Sequence, residues 1–153
     1  HVAGSVEAFA ELMNEEAKKL GAVDTHFVNP HGLHNKDHYT TAYDIYLILN
    51  ELIHYKSFLS IISMPSCEVW YTDAKGNTKS KVFESTNLFF NGKFEIPDGI
   101  EIIGGKTGTT AAARNCLVLL SKDSAGNPYV SVILNCSERQ FLYQEMTELL
   151  GEI

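Results

Sequence analysis

The stretch GGKTGTTAAARNCLVLLSK, residues 104–122, decides how this chain is interpreted. Gly-Lys-Thr also ends phosphate-binding loops of the form G-x-x-x-x-G-K-[ST], which open a helix. That spacing does not fit here, because Ile100 stands where the first glycine is needed and Gly99 comes one position too early. The apolar run at 115–121 is typical of a buried strand. The stretch therefore predicts a lysine on a strand and excludes a nucleotide site.

Length, composition and charge narrow the class of protein. A chain of 153 residues is one domain or part of one. Its hydrophobic fraction of 44% and charged fraction of 20% are those of an ordinary globular domain. A net charge of −7 without a basic cluster excludes a nucleic-acid surface. Three cysteines are too few for a disulfide framework or a zinc ribbon, and we expect Cys116 and Cys136 to be small buried hydrophobes.

Helical periodicity occurs near both ends of the chain. Residues 4–21 predict a helix capped by Ser5, and residues 41–55 predict a second helix that is apolar almost all round and so buried. Residues 56–64 suggest a helical turn. The closing segment, 137–153, predicts an amphipathic helix whose apolar side consists of Phe141, Met146, Leu149 and Leu150.

From Cys67 the apolar period changes to two. Runs at 67–72 and 78–84 flank a turn cluster and predict a hairpin, and three further strands are predicted at 100–108, 116–122 and 129–136. Thr41 with Asp44 three residues later resembles a capping box. We therefore expect a single α+β domain over residues 1–153, an antiparallel sheet packed with helices.

Several segments then resemble one family. DTHFVNPHGL at 24–33, HYTTAYDIYLI at 38–48 and the lysine stretch with its flanks at 98–122 resemble the serine D-alanyl-D-alanine carboxypeptidases, the low-molecular-mass penicillin-binding proteins. Order and spacing agree over nearly the whole chain. The resemblance implies part of a penicillin-binding-protein/β-lactamase-like transpeptidase fold, and an extracytoplasmic place in a bacterial cell envelope. DTHFVNPHGL disfavours a class A β-lactamase, whose loop it does not resemble.

Of the three motifs of that family, S-x-x-K, S-x-N and K-T-G, only the third is present. None of the eleven serines has a lysine three residues later. One S-x-N match begins at Ser85, but the second motif of the family precedes the helix that Ser5 caps, so we interpret Ser85 as structural. We therefore expect an incomplete domain, the C-terminal part of a longer protein, with a natural non-catalytic relative as the alternative.

The resemblance assigns roles within the K-T-G strand. Lys106 becomes a catalytic cation, and the backbone N–H of Thr109 becomes a donor to the oxyanion. The hydroxyl of Thr107 donates to the substrate carboxylate, and Gly108 lets the substrate backbone approach because it has no Cβ.

Arg139 is the remaining candidate for binding the substrate. Some family members bind the carboxylate with an arginine near the end of the last strand. Counted back from the closing helix, that arginine would fall near Leu142, so a surface ion pair at Arg139 stays the alternative.

A cluster of His26, His31, His34 and His38 with Asp37 has spacings that suit a metal. The resemblance implies no metal in this loop, and we expect neither a metal nor a cofactor.

As a whole protein, a serine-type D-Ala-D-Ala carboxypeptidase would trim peptidoglycan stem peptides through an acyl-enzyme and would bind β-lactams. We expect the isolated chain to be inactive for lack of the nucleophile, and to self-associate where the missing N-terminal part would cover it. The alternative is a non-catalytic module that binds cell-wall peptides or a protein partner.

Overall fold

The computed structural model describes residues 1–153 and confirms the α+β fold, with an antiparallel hairpin β1-β2 and an antiparallel sheet in the order β3-β4-β5. Each segment predicted as helix or strand forms that element. In chain order the elements are α1 Val6–Lys19, α2 Ala42–Leu52, α3 Lys56–Ile62, β1 Ser66–Thr72, β2 Thr78–Glu84, a 3₁₀ helix Leu88–Asn91, β3 Glu101–Thr110, β4 Arg114–Lys122, β5 Pro128–Cys136 and α4 Arg139–Leu150.

The three-stranded sheet has helices on both faces. Side chains alternate along β4, so Leu117 and Leu119 lie on the side of α4 while Val118 lines a groove with α2 and α3. The main core forms between the sheet, the 3₁₀ helix and α4. Its buried members are Phe89, Leu117, Leu119, Cys136, Leu142, Tyr143, Met146 and Leu150.

The apolar side of α4 differs from the prediction. Met146 and Leu150 are buried, but Phe141 is 47% and Leu149 is 41% exposed. The buried stripe runs instead through Leu142, Tyr143, Met146 and Leu150, since steps of four residues keep side chains on one helix face. Leu142 and Tyr143 thus take the places predicted for Phe141 and Leu149, and the ring of Tyr143 packs on Phe89 and Phe94.

The predicted burial of α2 was wrong. Only Asp44 and Leu49 of this helix are buried, and Tyr43 is 66% exposed. The apolar side chains of α2 and α3 border an open groove of about 380 Å³ beside β3, where no other element of the chain covers them. No single helix is long and apolar enough to cross a membrane, and α2 with α3 passes such a test only as a pair bent by 117°.

The loop between α1 and α2 is tied down by side chains. The amide of Asn14 pairs with the N–H and carbonyl of Phe27 at 2.6 and 2.8 Å. Buried Asn29 accepts from the Gly32 N–H and donates to the Leu33 carbonyl, which shapes the turn before position 34. These contacts fix the loop to α1 and fix the shape of its own turn.

The start of α2 satisfies half of the predicted capping box. Thr41 Oγ1 accepts from the Asp44 N–H at 3.1 Å, as expected of an N-cap. The Asp44 carboxylate does not return to Thr41; it accepts from the Thr25 hydroxyl at 2.6 Å and so joins α2 to the loop.

Candidate active-site wall

The K-T-G sequence lies on β3, which forms one edge of its sheet. Lys106 is opposite Val118 and Thr107 is opposite Leu117, whose side chain is in the α4 core. Residues directly opposite in an antiparallel pair share a face, so Thr107 faces α4 and Lys106 faces the other side. At this free edge of the sheet Lys106 borders both the α2–α3 groove and the cavity that Thr107 lines.

Packing within the chain explains two of the three glycines of β3, but not the third. A Cβ on Gly104 would stand 2.6 Å from the Ile62 carbonyl oxygen, and one on Gly105 would stand 2.7 Å from Leu119 Cδ2. Packing inside the chain therefore requires both glycines. A Cβ on Gly108 would meet only Cys116 Cβ, at an ordinary 3.8 Å. Nothing within the chain requires glycine at 108.

Lys106 is exposed and unpaired. Its ammonium group donates to the Thr107 carbonyl and, like most lysines of the chain, forms no ion pair. A lysine held on a rigid strand without a counter-charge is available to an anion that binds from outside.

Thr107 has a hydroxyl neighbour that is distant in sequence. Its Oγ1 lies 2.6 Å from the Oγ1 of Thr86, in the segment just before the 3₁₀ helix. Thr86 also meets α4, because its carbonyl accepts from Arg139 Nη2 at 2.9 Å and from Tyr143 Oη at 3.3 Å. Arg139 forms no ion pair, so the surface pair considered above is not what the structure contains.

All five predicted site residues line one cavity of about 540 Å³, within the size range of ligand pockets. Its lining contains the cations Lys106 and Arg139, three threonines, and no aspartate or glutamate, although the chain carries a net charge of −7. The complete lining is Pro30, His31, Gly32, Thr86, Lys106, Thr107, Gly108, Thr109, Asn115, Cys116, Arg139, Leu142 and Tyr143.

Cys116 departs from the expectation of burial. Cys136 is buried in the core, but Cys116 is only half-buried at the cavity wall, where its Sγ accepts from the Asn135 N–H. The reason is its register opposite Gly108, which leaves its side chain uncovered on that face.

The histidines of the loop serve its own hydrogen bonds. His38 Nδ1 accepts from the Val28 N–H at 3.2 Å, and His26 Nδ1 contacts the Asp37 carbonyl. His31 Nδ1 accepts from the Leu33 N–H at 3.3 Å, and His31 also lies at the cavity. The structure contains no group of three or more His, Cys, Asp or Glu side chains placed to hold a metal ion.

Sequence reasoning missed Thr86, Tyr143 and the Pro30–Gly32 turn as parts of the wall. Thr86 stood within the S-x-N match that we interpreted through Ser85, whose hydroxyl does serve the local backbone by accepting from the Asn87 N–H. No periodicity in the sequence predicts that position 86 lies close to positions 107 and 143. Only the fold brings them together.

Comparison with known proteins extends over almost the whole chain. The profile of the D-alanyl-D-alanine carboxypeptidase family matches residues 1–138. The chain is 31% identical over 150 residues to D-alanyl-D-alanine carboxypeptidase DacF of Bacillus subtilis, and 32% identical over 150 residues to DacC of Escherichia coli. These matches cover 97% and 98% of the chain but 36% and 34% of the relatives, so the chain spans about a third of their length.

Solved structures show the same fold. A D-alanyl-D-alanine carboxypeptidase from Mycobacterium tuberculosis superposes with a TM-score of 0.79 at 24% identity, over 99% of this chain and 55% of that one. The Streptomyces K15 DD-transpeptidase superposes with a TM-score of 0.85 at 22% identity, over 95% of this chain and 53% of that one. The sheet, its helices and the K-T-G edge strand are thus part of a DD-peptidase fold, and the chain belongs to the D-alanyl-D-alanine carboxypeptidase family.

Proposed function

We propose that the cavity along β3 binds the terminal carboxylate of a D-Ala-D-Ala peptide, and that the whole protein is a serine-type D-Ala-D-Ala carboxypeptidase. One observation supports this proposal above all. The chain is acidic, yet this cavity is lined by two cations and three threonine hydroxyl groups and by no carboxylate. Such a set of donors complements an anion.

Each group has a defined task in this proposal. Lys106 and the Thr107 hydroxyl bind the substrate carboxylate, with Arg139 as a second cation on the same wall. Gly108 leaves room for the peptide backbone, and the Thr109 N–H donates to the oxyanion formed when a serine attacks the carbonyl. The serine and its base belong to S-x-x-K, which this chain does not contain, so another part of the same protein supplies them.

The likeness in fold and family supports a place in the bacterial cell envelope, with peptidoglycan stem peptides as substrates and β-lactams as acylating inhibitors. The exposed apolar groove beside β3 supports the proposal that the rest of the polypeptide packs on the groove and covers it. The missing nucleophile favours one alternative, a module that binds cell-wall peptides without cleaving them.

The test of the proposed function is replacement of Lys106 in the whole protein. Lys106→Ala should slow acylation by a fluorescent penicillin by at least about 10², the scale for loss of one preorganised electrostatic contact. The melting temperature should hardly change, because the side chain is exposed and unpaired. Lys106→Arg should restore only part of the rate, since a planar guanidinium presents its donors differently.

The matched control is Lys81→Ala, on the exposed hairpin away from the cavity, which should acylate like the wild type. The 153-residue chain alone should take up no penicillin. Wild-type acylation by Lys106→Ala would remove the central residue of the proposal. A whole protein that is never acylated, yet binds a D-Ala-D-Ala peptide more weakly after Lys106→Ala, would establish the binding module.

A further inference from the structure

Thr86 connects the two groups that the proposed function assigns to the carboxylate. Its hydroxyl oxygen is 2.6 Å from Thr107 Oγ1, and its carbonyl accepts from Arg139 Nη2 at 2.9 Å. One residue, which no motif of the family marks in this chain, thus contacts both the strand and the helix of the candidate wall.

Tyr143 fixes the backbone of this residue. The Tyr143 hydroxyl donates to the Thr86 carbonyl at 3.3 Å and accepts from the Leu88 N–H at 3.0 Å. The ring of Tyr143 is fully buried, stacked on Phe94 with centroids 4.7 Å apart and edge-on to Phe89 at 5.2 Å. Because the core holds the tyrosine, its hydroxyl fixes the backbone on both sides of Asn87, at the Thr86 carbonyl and at the Leu88 N–H.

Hydrogen-bond stoichiometry then decides the direction of the contact between the two threonines. A hydroxyl has one proton and two lone pairs, and an ionised carboxylate can only accept. When Thr107 gives its proton to a carboxylate, its oxygen is free to accept from Thr86. That acceptance polarises the Thr107 hydroxyl and strengthens its donation to the ligand.

Resting on the carboxylate-binding role proposed above, we propose that Thr86 is a positioning residue for this site. Its hydroxyl donates to Thr107 and directs the Thr107 proton into the cavity. Its carbonyl keeps Arg139 at the same wall. The substrate carboxylate therefore meets donors whose rotamers are already set, and less side-chain freedom is lost on binding.

The test compares two variants of the whole protein that differ in one group. Thr86→Val is nearly isosteric and lacks the hydroxyl, whereas Thr86→Ser retains it. Thr86→Val should slow acylation and raise KM for a D-Ala-D-Ala peptide by about fivefold to tenfold, the scale of one hydrogen bond. Thr86→Ser should restore most of the wild-type values. Thr78→Val, a matched change on the exposed hairpin, should alter neither.

A double-mutant cycle separates positioning from a general structural effect. If Thr86 acts through Thr107, adding Thr86→Val to Thr107→Val should cause almost no further loss. Full, independent losses would overturn the proposal, and so would a Thr86→Ser variant as slow as Thr86→Val. If circular dichroism shows that Thr86→Val does not fold, Thr86→Ala enters the same cycle.

The outcome with Lys106→Ala distinguishes the two levels of the proposal. Slow acylation by Lys106→Ala beside wild-type acylation by Thr86→Val would refute the role of Thr86 alone. Wild-type acylation by both variants would refute the carboxylate site itself.

Discussion

Packing within the chain does not explain the glycine at position 108. The two other glycines of β3, Gly104 and Gly105, are required by atoms of this chain, and a Cβ at 108 would meet only an ordinary contact. Gly108 also lines the cavity, and we propose that the absence of a side chain there serves the ligand rather than the packing of this chain. In the proposed complex the substrate backbone lies there.

Replacement by alanine should distinguish a glycine that stability requires from a glycine that substrate binding requires. Gly108→Ala should leave the melting temperature of the whole protein nearly unchanged but slow acylation, up to about 10² where the substrate is displaced by roughly 1 Å. Gly104→Ala is the comparison, and should destabilise by about 1–3 kcal/mol because its Cβ overlaps the Ile62 carbonyl. Thermal melts and acylation rates of both variants check this, and a stable, fully active Gly108→Ala enzyme would contradict it.

Among the elements, the long loop before α2 carries His38, a histidine with a displaced pKa. The pKa of His38 lies below its usual value because burial of the ring disfavours the charged form, and the nearby His26 and His31 lower it further. The folded loop thus favours neutral His38, whose Nδ1 accepts from the Val28 N–H. That contribution to stability is fully present above about pH 6.5 and is lost as the pH falls through the lowered pKa.

Hydrogen exchange at Val28 should report this loss. Between pH 7 and pH 5 the protection factor of the Val28 amide should fall in the wild type, since protonated Nδ1 can no longer accept. His38→Asn retains an acceptor near Nδ1 but does not titrate, so its protection factor should stay level over the same range. A wild type that behaves like His38→Asn would show that the contact does not depend on protonation.

The sequence predicted each helix and strand, because the signals for them are local. Ser5 caps α1 through the Ala8 N–H, and the turn between β1 and β2 contains the residue types that hairpins require. Which helix face is buried was harder to predict. Phe141 and Leu149 are as apolar as the residues that replace them in the core, so only the position of the sheet decides between the two stripes.

For the candidate site, sequence supplied the K-T-G residues and Arg139, and the fold brings them to one cavity. Their roles remain predictions. Thr86 was not predicted, because its partners Thr107 and Tyr143 are 21 and 57 positions away in the sequence. Neither composition nor periodicity encodes such contacts.

The molecule as a whole exposes more surface than a compact protein of its size. Its accessible surface is 10108 Å², whereas a compact monomer of 17.0 kDa exposes about 7,700 Å². Only 19 of 153 residues are buried, and Ile61 at the α2–α3 groove is 66% exposed. Open apolar surface of this kind favours association.

We therefore expect the isolated chain to self-associate, with sedimentation coefficients that rise with concentration. Ile61→Glu places a charge in the groove and should shift the chain toward monomer. Leu33→Glu is the matched control, because Leu33 is 68% exposed but lies outside the groove. A wild-type chain that sediments as one monomeric species and melts cooperatively would count against the expectation.

The exposed hairpin has an optical consequence. Trp70 is the single tryptophan of the chain, it is 65% exposed, and every residue of β1 and β2 is exposed with it. Its emission should therefore be that of an indole in water before and after the core melts. An unfolding curve followed at the tryptophan wavelength would therefore report little of the core, whose buried rings include those of Tyr143 and Phe89. Coincident transitions, the usual evidence for two-state unfolding, therefore require a probe that reports Tyr143 itself, because the other six tyrosines of the chain are exposed.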